Sequence, residues 1–104
     1  MREIRETVYR SRNLHVEGVL RYDGAVYLHI RYLAPWSPSV YKECLYAMVR
    51  IKEEFYNLGV QELFILVEER YLKFETMMGF DIQEVYRNKQ GKKFLRMSQS
   101  TDGN

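Results

Sequence analysis

At 104 residues, the chain has room for one domain with a modest core. A hydrophobic content of 46% excludes a disordered chain, and the run Leu63–Val67 is too short to span a bilayer. The net charge of +2 says little about partners, but a single cysteine, Cys44, excludes an internal disulfide and suits a reducing compartment.

The first residues are charged, with no apolar run behind them, so no secretory signal and no membrane attachment are expected. Glu3–Tyr9 is a strand candidate. Asp23-Gly24 then separates Val19-Leu20-Arg21-Tyr22 from Ala25–Ile30. This pair suits a type I′ turn, in which both central residues take positive φ, so the spacing predicts an antiparallel hairpin. Along its second arm Val26, Leu28 and Ile30 alternate with Tyr27, His29 and Arg31. His15 and His29 have no Cys, Asp or Glu at metal-ligand spacing and read as sheet-surface residues, so no metal is expected.

A loop, Pro35-Trp36-Ser37-Pro38, leads into the best-marked helix. Ser37 can cap it, Pro38 suits its first turn and Gly59 lies just past its end. Val40, Cys44, Leu45, Met48, Ile51 and Phe55 recur at helical spacing, which makes Cys44 a small core residue. Leu63–Val67 reads as a buried strand, and strand–helix–strand order with so long a helix implies a parallel pair joined by a right-handed crossover. A second helix spans about 69–78 and stops at Gly79, with Met77-Met78 expected against the sheet. Strands at about 81–87 and 93–98 flank the turn Asn88-Lys89-Gln90-Gly91, and a polar tail, 99–104, is expected to fray.

Charge is unevenly distributed. Residues 34–80 hold five basic and seven acidic side chains, whereas 81–104 hold five basic and three acidic. Arg87, Lys89, Lys92, Lys93 and Arg96 form the basic group, with Tyr86 and Phe94 interleaved. A solvated turn accounts for them, and nucleic-acid binding is the functional counterpart.

The segment Arg70–Phe80 resembles the GNAT acyltransferase segment written Asn-x-x-Ala-x-x-Phe-Tyr-x-x-x-Gly-Phe, with Phe74, Gly79 and Phe80 matching. Leu33-Ala34-Pro35 is similar to the Val-x-Pro that ends the family's fourth strand. The resemblance covers roughly 19–98 and implies an α+β domain over 1–98. Such a domain has a mostly antiparallel mixed sheet of five to six strands with two helices, in a truncated GNAT-like topology. The family's first strand and first two helices have no counterpart in it.

The chemistry of the family is altered in this chain. GNAT proteins bind the pyrophosphate of acetyl-CoA at the N-terminus of the long helix, through Arg/Gln-x-x-Gly-x-Gly/Ala. Here Pro38, Tyr41 and Glu43 occupy those three positions. Proline lacks a donor, tyrosine adds bulk and glutamate adds negative charge where bare N–H groups would meet phosphate. Glu68 replaces the family's Asn, Tyr71 the small Ala, and Glu75 a Tyr that often acts as general acid. A carboxylic acid could do that work only with a raised pKa, and a surface helical Glu is the plainer reading.

The resemblance therefore implies a degenerate site and a non-catalytic, protein-binding or structural role without a cofactor. This is similar to the acetyltransferase-like proteins that phages encode, which act inside the cell, in host cytoplasm or in the virion. The alternative is an acetyl-CoA-dependent N-acyltransferase with an atypical loop, in which Leu33, Ser39, Val40 and Tyr41 would hold the cofactor. Association with a protein partner or a second copy is expected through Trp36, Tyr32 and Tyr41, because tryptophan in a stiff loop anchors interfaces.

Overall fold

The computed structural model describes residues 3–102. Strands β1 (Ile4–Arg10), β2 (Leu14–Leu20) and β3 (Val26–Tyr32) form a meander. Helix α1 (Pro38–Asn57) leads to β4 (Glu62–Glu68), a 3₁₀ turn (Glu69–Tyr71), α2 (Leu72–Met77), β5 (Asp81–Arg87) and β6 (Lys93–Ser100). Among the described residues the strands make one sheet in the order β1-β2-β3-β4-β6-β5. Every neighbouring pair is antiparallel except β3 on β4. That parallel contact is the expected one, and it is short: Val26 pairs with Leu63 and Tyr27 with Phe64.

Helix α1 starts and stops where the local chemistry directs. Ser37 Oγ accepts the Val40 N–H, Pro38 sits in the first turn, and Gly59 takes φ +86° after the last turn. Its buried stripe is Val40, Cys44, Ala47, Met48 and Ile51. Leu45, expected on that stripe, is exposed, and Ala47 is buried there instead. The helix packs on Leu14, Val16, Val26, Leu28, Leu63, Ile65, Leu95 and Met97. Met78 and Phe80 join the same core, so α1 and α2 share one face. Phe55 closes it over Gly18, where an added Cβ would meet the Phe55 ring at 3.1 Å.

The opposite face carries no helix among the described residues. It is roofed by its own side chains: Tyr27 stacks on Phe64 at 5.4 Å, Arg21 lies over Tyr27 at 5.0 Å, and Arg96 over Phe64 at 5.5 Å. Lying flat, these long cations cover apolar surface with their stems, and each cation–π contact adds about 0.5–1 kcal/mol.

Three expectations need correction. The Asp23-Gly24 turn is not type I′, because Gly24 alone has positive φ (+88°). The Gly24 N–H bonds to Arg21 O, and the Arg21 N–H to Ala25 O. This is a three-residue loop, a type I turn closed by a left-handed glycine. The hairpin Asn88–Gly91 repeats the pattern, with Gly91 at φ +80°. The tail is ordered further than expected: β6 runs to Ser100, and Thr101 is buried, bonding through its N–H to Gln61 O and through its hydroxyl to Val60 O. Finally, Glu43 does not face a ligand path. Its carboxylate accepts from Tyr9 Oη (2.8 Å), Asn13 Nδ2 (2.9 Å) and Ser11 Oγ, tying α1 to the β1–β2 turn.

Candidate functional site

Beyond Tyr27 and Phe64 the parallel ladder ends, and β3 and β4 diverge. The gap is a cleft of about 530 Å³, lined on one side by Leu28–Tyr32 and on the other by Ile65–Glu68, with Tyr71, Glu75 and Phe94 completing the wall. This volume lies in the range of small-ligand sites. Where strands part without new partners, inward-pointing N–H and C=O groups face the gap, as they do at a sheet edge.

Glu75 is the chemical centre of the wall. It is 2% exposed, not on the helix surface as its sequence context suggested. The stripe Leu72, Glu75 and Met78, spaced by three, carries it inward when α2 docks. Tyr32 Oη donates to Glu75 Oε1 at 2.8 Å, while Oε2 has no hydrogen-bond partner. Burial raises the Glu75 pKa, and the Tyr32 hydrogen bond opposes that rise only in part. Burial first, then the nearby Glu75 charge, raises the Tyr32 pKa. Burial thus favours the neutral form of Glu75 more than it would at an exposed position, and Oε2 is the carboxyl oxygen left open. Cys44, behind the pair, is buried and its thiol is pushed up to about 11, chiefly by desolvation and then by Glu43 and Glu75. It is an inert core thiol.

The residues expected to meet a partner do converge. Trp36 lies edge-on to Phe74 (4.2 Å between ring centroids) and Tyr41 (5.5 Å), and Tyr32 to Phe74 (4.8 Å). Trp36 is 49% exposed. Tyr41 Oη reaches Met77 O at 3.4 Å, so the cluster bridges the start of α1 to the end of α2. The positions considered for acetyl-CoA are largely engaged within the chain. The Leu33 N–H bonds to Asn13 O, Val40 N–H to Ser37 Oγ and Tyr41 N–H to Ser37 O, and Ser39 Oγ pairs with Ser37 Oγ.

The basic group does not form an open patch. Lys92 pairs with Glu68 (2.8 Å), Lys93 with Glu69 (2.5 Å), Arg87 bonds to Gly91 O and Arg96 lies over Phe64. Lys89 projects from the turn. His15 bonds to Thr7 Oγ1, and His29 lines the cleft on the open-face side. No group of three metal-ligating side chains occurs among the described residues. Nor is any described helix long and apolar enough to cross a membrane. Sequence reasoning missed the Tyr32–Glu75 pair and the cleft residues His29, Arg31 and Phe94. Their one sequence signal was the crossover itself, which places β3 and β4 side by side.

A central parallel contact that splays into a cleft, a long crossover helix and a short helix ending in Gly-Phe define a shortened GNAT-like fold. Solved structures with this fold include the spermidine N-acetyltransferase SpeG N152L mutant from Vibrio cholerae, at TM-score 0.64 and 14% identity, covering 85% of this chain. A chimera of SpeG with hSSAT (segment K23-Y30) gives TM-score 0.64 at 15% identity over 95% of this chain. The chain spans a little over half of the first, 56%, and 67% of the second. At such identity the likeness is one of fold. No family model and no curated protein matches the sequence.

Proposed function

We propose that the chain is an acyltransferase-type domain whose β3–β4 cleft receives an acyl thioester, with Glu75 as the proton donor. The observation that carries this reading is the buried Glu75, its Oε2 unpartnered, on the wall of a cleft formed by strand divergence. An extended amide-bearing chain can bond to the backbone edges along such a gap, as a peptide adds to an open sheet. An amine nitrogen attacks the thioester carbonyl and the C–S bond breaks. The sulfur leaves with the proton from Glu75 Oε2, and the proton lost by the amine restores the acid. Tyr32 holds the carboxyl in place. The acceptor is taken to be an amine because the similar solved structures are named as spermidine N-acetyltransferases.

The test is a titration with S-acetyl-pantetheine and acetyl-CoA followed by nuclear magnetic resonance, coupled to a thiol-release assay with polyamines. Binding should shift the signals of Tyr32, Glu68 and Tyr71. Glu75→Gln should retain binding and lower thiol release about 10²–10⁴-fold, the usual worth of a positioned acid. No binding of either thioester and no release would refute the reading.

The second reading is a non-catalytic protein that works by association. It is favoured by the half-exposed Trp36 at the head of an aromatic cluster and by a sheet face without helices. Light scattering at micromolar concentration tests it: a dimer that Trp36→Ala dissociates would support this reading, and a clean monomer would refute the homo-oligomeric form.

A further inference from the structure

We infer that the cleft recognises its donor by a pantetheine-type arm alone, with no site for a nucleotide polyphosphate. This rests on the reading of the cleft as the acyl-donor site and names the substrate class: an acyl thioester of a pantetheine arm, carrying at most a single phosphate.

A polyphosphate needs a cluster of free N–H donors or cations at the mouth of the cleft, where β3 and β4 end. The N-terminus of α1, which follows β3, has Pro38 in its first turn, and Ser37 takes the N–H groups of Val40 and Tyr41. The Leu33 N–H, in the connecting loop, is held by Asn13 O. Trp36, in edge contact with Phe74 and Tyr41, and the Tyr41–Met77 hydrogen bond bridge α1 and α2. A nucleotide would have to displace that aromatic wedge before reaching α1.

The far side of the mouth is no more receptive. Glu68 and Glu69 stand there, and the cations beside them already hold those carboxylates: Arg70 at 3.0 Å and Lys92 at 2.8 Å on Glu68, and Lys93 on Glu69. Adding a polyphosphate would leave either it or the two glutamates without compensation. Arg31, on the cleft wall, has no ion-pair partner among the described residues. One guanidinium can match one phosphate, as on the end of a phosphopantetheine arm, but not the charge of a nucleotide. The inner cleft, by contrast, suits an arm that alternates amides with methylenes. Leu28, Ile30, Ile65 and Val67 offer apolar contact, and the diverging backbones offer donors and acceptors at strand spacing.

The experiment is paired calorimetry on the full chain with S-acetyl-pantetheine and with acetyl-CoA, at low and at physiological salt. Acetyl-CoA should bind no more than about threefold more tightly than S-acetyl-pantetheine, since each tenfold gain would correspond to about 1.4 kcal/mol of nucleotide contact. An acetyl-CoA affinity tenfold or more above that of S-acetyl-pantetheine overturns the inference but leaves the proposed activity standing. Failure of both to bind overturns both. A third titration, with an acylated carrier protein, reads whether the arm is accepted protein-borne as well as free.

Discussion

Removing the carboxylate of Glu43 should weaken the whole fold, because this side chain ties α1 to the β1–β2 turn. Tyr9, Ser11 and Asn13 all donate to it. Hydrogen bonds to a charged group are worth about 1.5–3 kcal/mol each when well buried. The site is partly exposed and the three bonds are not additive, so Glu43→Ala should cost about 2–4 kcal/mol in total. Against about 5–15 kcal/mol for a domain of this size, that is a large fraction. In urea the midpoint should fall by about 1–2 M with an unchanged slope. Hydrogen bonds from Ser11 and Asn13 lower the Glu43 pKa, and its Tyr9 partner is pushed up to about 12, mainly by desolvation and then by Glu43. A lowered carboxylate pKa means that the stabilisation is complete above the unfolded value of about 4.5 and is lost as pH falls through the folded one. The gap between the native chain and Glu43→Gln should therefore close in acid. A midpoint shift for Glu43→Ala below about 0.2 M, or a gap that persists undiminished at pH 3, would refute the reasoning.

Glu75 should show the opposite pH dependence. Its raised pKa means that stability is full below about 4.5 and declines as pH rises through the folded value. Urea titrations at several pH values should find Glu75→Gln matching the native chain near pH 4 and exceeding it near pH 8; a variant that is weaker at every pH would contradict this. Ile51→Ala, at the centre of the α1 stripe, should cost about 2–5 kcal/mol in the same assay. Gly18→Ala should cost only about 1 kcal/mol, because the Phe55 ring edge it meets can swing aside; a cost equal to that of Ile51→Ala would show that Phe55 is fixed.

Much of this architecture can be read locally. Ser37, Pro38 and Gly59 bracket α1, and the alternation from Val26 to Arg31 sorts β3 into a core face and an open face, because capping and strand period depend on near neighbours. The turn at Asp23-Gly24 was placed correctly but given the wrong class, since dipeptide identity does not say whether Tyr22 joins the loop. Glu43 and Glu75 could not be placed this way. Each is defined by groups 30 or more residues away in sequence, Tyr9, Ser11 and Asn13 for one and Tyr32 for the other. A spacing rule sees a charged residue in a helix and assigns it to water. The docking of α2 under β3 instead buries Glu75 beside a phenol.

The brevity of the β3–β4 ladder has a mechanical consequence. Residues 4–32 close among themselves as a meander, and 62–100 as a three-stranded unit in the order β4-β6-β5, each through antiparallel pairs. Among the described residues the backbone ladder across the seam has two residue pairs, the Tyr32–Glu75 hydrogen bond lies beyond them, and α1 packs over both units. The sheet is thus two stiff plates joined along a narrow hinge, with the helix as a leaf spring. Small rotations about Val26–Tyr27 can widen the cleft without breaking either plate, so exchange of amide hydrogens should proceed in two blocks with the fastest-opening amides along the seam.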